Sequence, residues 1–311
     1  MSILVSGSLA IDYIMVFRDR FKNHILPDRL HVLNVAFHVP TLRRSFGGTA
    51  GNIAYNLRLL GDDPLLLASV GSDFGPYAEW LDRHGIDRRF VRTYDEMLTA
   101  QAFITTDLDD NQITAFHSGA MERASDLALS DVTDAVTLGI VSPNAKQAML
   151  DVARDLKRRG ISTVVDPGQQ LSSFTSDELL ALMEGAAVYV VNDYEWSLTQ
   201  SRIGQSEDAL VRRAGTVIVT LGEKGSRILR DGERVEIPPV RAERVVDPTG
   251  CGDAYRAGLL HGMQRGLPLE AAARIGSLLG ALEVEHQGTQ GLALDREAFR
   301  ARYQREFGAR I

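Results

Sequence analysis

The segment Val246-Asp247-Pro248-Thr249-Gly250-Cys251-Gly252-Asp253-Ala254 sets two glycines around one small residue, just before a run that reads as a long helix. Such a turn lets successive backbone N–H groups point at one spot, and the positive end of a helix adds to the field there. An anion fits that place, above all a phosphate in transit. Asp253 stands at the helix start, where a carboxylate can take a proton from a hydroxyl while the helix end stabilises developing charge. Asp is equally a favoured helix cap, so the segment alone leaves cap and base both open. No Lys-Ser or Lys-Thr follows the glycines, so this is not a P-loop.

Four further segments combine glycines or paired polar groups. In Ser45-Phe46-Gly47-Gly48-Thr49-Ala50-Gly51-Asn52, Gly47 and Gly48 permit close approach of a ligand, and Asn52 offers a donor and an acceptor to a polyol; a tight strand-to-helix turn reads the same way. Asp12, shortly after the first strand, can accept hydrogen bonds from two adjacent hydroxyls or be a solvated loop residue. Asn192 and Glu195 follow a buried strand at i, i+3 spacing and can orient the waters of Mg²⁺ or a phosphate; Glu195 also suits a helix N-terminus. Thr220-Leu221-Gly222-Glu223-Lys224-Gly225 suits a nucleotide phosphate or ribose at Thr220, Gly222 and Gly225, or is a hairpin turn. Each piece is weak alone. Together they follow successive strands, and strand ends of one parallel sheet converge in space.

The elements that would position them are short apolar strands alternating with helices, which implies a parallel sheet covered on both faces. Strands are expected at 3–5, 65–70, 138–141, 163–166, 187–191 and 217–221. Helices are expected from the Gly47–Asn52 turn to about 60, and over 77–84, 145–159, 176–183, 206–213, 253–265, 268–285 and 295–305. A hairpin spans 98–117, and another spans 227–237 with its turn at Asp231-Gly232. The tract 13–45 lacks a helical period and alternates at His31-Val32-Leu33-Asn34-Val35, so it reads as one or two strands outside the main sheet.

With 44% hydrophobic and 24% charged residues, the 311-residue chain is apolar enough to bury a large core. The net charge of −7 argues against nucleic acid or an anionic membrane as partner. A single cysteine, Cys251, excludes an internal disulfide, and the seven histidines show no zinc pattern. The dinucleotide fingerprint is absent, which makes a dehydrogenase a poor reading. The N-terminus lacks the charge of a signal peptide and there is no 18-residue apolar run, so a cytoplasmic protein is expected.

Along almost its whole length the chain resembles the ribokinase-like (PfkB-type) kinases. FGGTAGNIAYNLRLLG is similar to their N-terminal signature, VNDYE to their N-x-x-E motif, and DPTGCGDAYRAGLL to their C-terminal D-T-x-G-A-G-D signature. Pro248 and Cys251 depart from it, where Thr and Ala are usual. The resemblance implies one kinase domain over 1–311, an α/β three-layer sandwich with a mostly parallel central sheet. A small β-sheet lid would come from about 13–45 and 98–118. It further implies transfer of phosphate from ATP to an alcohol. Asp253 would be the base, and the Gly250-Cys251-Gly252 backbone would hold the γ-phosphate. Asn192 and Glu195 would organise phosphate and Mg²⁺, Glu195 through water. Thr220, Gly222 and Gly225 would face ATP, and a K⁺ site would sit at Asp247 and Thr249, completed from 283–289. Asp12, Gly47, Gly48 and Asn52 would hold the acceptor, with Gln101 and Phe116 of the hairpin as further contacts.

Aromatics in the lid tracts (Tyr13, Phe17, Phe37, Phe103, Phe116) can stack on a base or fill the core under the lid. Glu283 to Gln290 and Asp166-Pro167-Gly168-Gln169 are similar to segments of microbial adenosine-kinase-like members, and His286 could line the base pocket or lie in a surface loop. The acceptor expected first is therefore adenosine, at its 5′-hydroxyl. Ribose-, fructose- or 2-keto-3-deoxygluconate-type sugars are the alternative, and a non-catalytic nucleoside- or sugar-binding regulator is the reading from another class. Either a monomer or a homodimer is compatible with such a lid.

Overall fold

The computed structural model describes residues 2–26, 32, 34–109, 111–132 and 134–311. In chain order the strands are β1 (Ser2–Ser6), β2 (Ala10–Val16), β3 (Thr41–Gly47), β4 (Pro64–Gly71), β5 (Asp87–Tyr94), β6 (Ala100–Thr106), β7 (Gln112–His117), β8 (Val136–Val141), β9 (Ser162–Val165), β10 (Val188–Asn192), β11 (Thr216–Thr220), β12 (Ser226–Arg230) and β13 (Glu233–Ile237). The helices are α1 (Thr49–Leu60), α2 (Gly75–Arg83), α3 (Lys146–Arg158), α4 (Ser176–Met183), α5 (Asp193–Ile203), α6 (Glu207–Ala214), α7 (Cys251–Gln264), α8 (Leu269–Val284) and α9 (Arg296–Phe307).

Nine strands form the main sheet in the order β13-β12-β11-β10-β9-β8-β1-β4-β5. Neighbours from β11 to β5 run parallel, and β12 and β13 are antiparallel. Alternation along β1 shows why both faces are covered: Ile3 and Val5 enter the core with α1, α7 and α8, whereas Leu4 enters the one with α3, α4 and α6. The β12–β13 hairpin turns at Asp231-Gly232, both with positive φ, a backbone that matches the twist of the flanking strands.

Two elements escaped the sequence reading. The edge strand β5 (DRRFVRTY) is mostly polar, because one side of it faces water, so it shows no apolar run. Helix α5 follows β10 at once and is announced by a capping box rather than by an apolar stripe. The one or two strands expected within 13–45 are β2 and β3; of the alternating piece 31–35, residues 34 and 35 form no strand, and residues 31 and 33 lie outside the described residues.

The second sheet has the order β3-β2-β6-β7, with β2 antiparallel to β3 but parallel to β6. Cross-strand partners share a face, so Asp12, Ser45, Ala102 and Phe116 lie on one side. Gln101, Phe46, Tyr13 and Phe103 lie on the other.

Helices α7 and α8 pack backbone to backbone. A Cβ on Gly258 would sit 2.7 Å from Gly276, and one on Gly262 would sit 2.5 Å from Ala272. No helix among the described residues is long and apolar enough to cross a membrane.

Candidate active site

Asp253 occupies the first turn of α7, whose N-cap is Gly250 in the left-handed region (φ 87°). First-turn amides have no acceptor inside their own helix, so those of Gly252 and Asp253 face outward from the helix start. The turn before them is braced by Asp247. Its Oδ1 accepts the Thr249 N–H at 3.0 Å and its Oδ2 accepts that of Gly288 at 3.0 Å. The Pro248 carbonyl accepts from the Cys251 N–H at 3.3 Å, and the brace begins one residue after the proline, at the Thr249 N–H.

The Asp253 carboxyl keeps some solvent access, yet protein crowds it closely and pushes it up to about 7. A hydrogen bond from Asn52 and the Arg256 guanidinium oppose this rise, while Asp166 and Asp12 add to it. Asn52 Nδ2 donates to Asp253 Oδ2 at 2.8 Å. Asn52 is itself buried, and its Oδ1 accepts from Gln290 at 3.1 Å. Its amide thus bridges Asp253 and Gln290, with a second N–H and a second lone pair left over.

The acceptor side is built from the small sheet and the β3–α1 junction. Gly48 has φ 84°, and a Cβ there would lie 2.5 Å from the Ser8 carbonyl, so the junction admits glycine alone. Gly47 has its Cα against the Asp12 carboxylate, which burial pushes up to about 6. Asp12 therefore sits inside a strand and is no solvated loop residue. Phe116 shares its face and stays exposed.

The other aromatics do not join it. Tyr13 stacks on Phe103 across the opposite face, and Phe17 and Phe37 cluster with Phe21. Gln101 also lies on that opposite face and donates to Asp73 at 2.8 Å.

On the other side of Asp253, the ends of β9, β10 and β11 meet. Asn192 and Glu195 close a reciprocal capping box over α5, so one oxygen of each is already used. Burial first, then Asp166, raises the Glu195 carboxyl. Thr220 ends β11, and a turn with Gly222 and Gly225 at positive φ follows it. His286 lies just past the end of α8 with Nδ1 against the Leu282 carbonyl at 2.9 Å.

Sequence reasoning missed Arg256, although it lies one turn beyond Asp253. It is buried and donates to Asp166 Oδ2 at 2.6 Å and to the Gly252 carbonyl at 3.1 Å, locking the helix start to the end of β9. Asp166 Oδ1 is buried with no hydrogen-bond partner among the described residues. With Glu195 close enough to feel it, this oxygen belongs to a carboxylate pair that fits a hard divalent cation only together with phosphate oxygens, since no three metal-ligating side chains gather among the described residues.

These features have counterparts in known proteins. The pfkB family carbohydrate kinase model matches residues 7–296. The nucleoside kinase of Methanocaldococcus jannaschii is 32% identical over 91% of this chain and 90% of its own. Its solved structure, described as an archaeal member of the ribokinase family, superposes with a TM-score of 0.88 at 29% identity, covering 98% of each chain. The Burkholderia thailandensis nucleoside kinase in complex with inosine is 44% identical, with a TM-score of 0.90 and 99% of both chains covered.

Proposed function

This chain belongs to the pfkB family of carbohydrate kinases, and within it we propose a nucleoside kinase that transfers the γ-phosphate of ATP to the ribose 5′-hydroxyl, with adenosine as first substrate. The observation that carries this reading is the Asp253 carboxylate. Asn52 holds one of its oxygens, and it stands at a glycine turn between a hydroxyl-binding acid, Asp12, and the strand ends that suit ATP. Two relatives named as nucleoside kinases, one of them solved with inosine, favour a nucleoside over a free sugar. Phe116, exposed on the Asp12 face, offers a ring to a base.

The transfer needs positioning and charge stabilisation more than covalent help from the protein. Asp12 receives ribose hydroxyls. Asp253 accepts the proton of the 5′-hydroxyl as its oxygen bonds the γ-phosphorus. The bond from that phosphorus to the β–γ bridging oxygen breaks, and ADP leaves. The outward amides at the start of α7 stabilise the charge on the moving phosphoryl group. Asp166 and Glu195 would hold Mg²⁺, which supplies charge neutralisation of the phosphates.

Asp253→Asn should lower kcat by about 10²–10⁴-fold while ATP and nucleoside still bind. Near-normal turnover by that variant would remove Asp253 as the base. A panel of adenosine, inosine, ribose, fructose and 2-keto-3-deoxygluconate with ATP and Mg²⁺ tests the acceptor, and exclusive turnover of a sugar would overturn the nucleoside reading.

A further inference from the structure

Asn52 can present either end of its amide to Asp253, and only the NH₂ end suits an ionised carboxylate. What fixes the choice lies behind it. Gln290 is buried and donates from Nε2 to Asn52 Oδ1 at 3.1 Å and to the Tyr77 hydroxyl at 2.7 Å. Its Oε1 accepts from Trp80 Nε1 at 2.8 Å. An indole N–H can only donate, so Trp80 compels Gln290 to turn its oxygen towards it and its NH₂ towards Asn52. Tyr77 adds a second constraint. Its hydroxyl donates to the Gly47 carbonyl at 2.9 Å, which leaves its oxygen as an acceptor for Gln290. Every group in the chain thus has one permitted orientation, and the last of them is the Asn52 NH₂ on Asp253 at 2.8 Å.

We propose that Trp80 and Gln290 are positioning residues for phosphoryl transfer: they set the direction of the Asn52 amide and so hold Asp253 ionised and aimed. The inference rests on the reading of Asp253 as the base. Donation from Asn52 works against the burial that favours the neutral acid. The other charged or titratable groups that act on Asp253 are Arg256 and Cys251 from its own helix, Asp166 from the end of β9, Asp12 from β2, Glu283 from α8 and Tyr77 from α2. None of these is altered by changing Trp80 or Gln290, except for the single bond between Gln290 and Tyr77.

The test uses Trp80→Phe, which keeps a ring in place, and Gln290→Met, which keeps the volume. Phosphorylation is followed from pH 5 to 9, with melting temperature as the folding control. With Asn52 free to flip in Gln290→Met, the acid limb of kcat should move up by about one pH unit, and by about half that in Trp80→Phe, where Tyr77 still holds part of the Gln290 orientation. At pH 7 kcat should fall roughly fivefold to tenfold in Gln290→Met, while the KM for ATP stays put. In an Asn52→Ala background, Trp80→Phe should no longer shift the limb. An unshifted limb in folded Trp80→Phe overturns the relay, and so does a shift that persists without Asn52. Asp253→Asn separates the two levels. If that variant is inactive and Trp80→Phe is unshifted, the relay alone fails; if it is active, the base assignment fails and takes the relay with it.

Discussion

Glu283 shows how much a single buried acid can weigh on this molecule. It projects from α8 with both carboxyl oxygens buried, and Asn56 is the side chain that partly offsets this burial. Burial first, then Asp253 and Asp247, pushes it up to about 8. A carboxyl whose folded value is raised favours the native state in its protonated form. Its contribution is intact below about 4.5 and drains away as the pH climbs towards 8. Glu283→Gln should therefore match the parent near pH 5 and be the more stable protein at pH 8, by on the order of a few kcal/mol. Urea unfolding at the two pH values checks this, and a gap that widens towards acid pH would contradict it. Asp253 sets a second pH signature. With its carboxyl pushed up to about 7, kcat/KM should rise as pH passes upward through that region and the free enzyme gains its base.

At the scale of elements, the β3–α1 junction carries the largest burden per residue. Gly48→Ala would need a left-handed backbone and would press a methyl into the Ser8 carbonyl. The cost should exceed about 1 kcal/mol of stability. Activity should fall further than stability, since Asn52 stands on the first turn of the helix that this junction aims. Thermal melts and turnover on the same preparation separate the two effects. Much of this architecture was legible beforehand. The main sheet's buried strands, the hairpin turn at Asp231-Gly232 and the glycine turn before Asp253 are all local patterns. Strand β5 was not, because an edge strand with four charged residues has no apolar run to read. The Asn52 contacts were not either. They join α1 to Asp253 and Gln290, which lie 201 and 238 residues away in sequence, and no local pattern records such a meeting. The type of Asn52 was correctly singled out; its partner was not.

Taken whole, the molecule is a large sheet with a small one set against the ends of its strands. Several contacts link them: Arg43 on β3 reaches Asp247 at 3.7 Å, Thr289 Oγ1 donates to the Phe46 carbonyl at 3.1 Å, the Tyr77 hydroxyl donates to the Gly47 carbonyl at 2.9 Å, and Gln101 donates to Asp73 at 2.8 Å. A half-exposed ion pair of that length contributes little. The face of the small sheet that carries Asp12 and Phe116 is expected to cover the acceptor as it binds, shielding the transferring phosphoryl group from water. Hydrogen exchange with adenosine and a non-hydrolysable ATP analogue should show new protection in β2, β3 and β6. Strand β7, exposed along its length, should gain least. Uniform protection confined to the main sheet would argue against closure.

The glycine seam between α7 and α8 bears on how such a protein can change. Where two backbones touch, no side chain remains to trim or enlarge, so the floor that performs the transfer is closed to gradual remodelling. The small sheet has no such seam, and its exposed positions tolerate exchange one at a time. New acceptors can be acquired there while the transfer apparatus is inherited intact. A directed-evolution library placed on β2, β6 and β7 should accordingly yield altered substrate scope at far higher frequency than an equal library on α7.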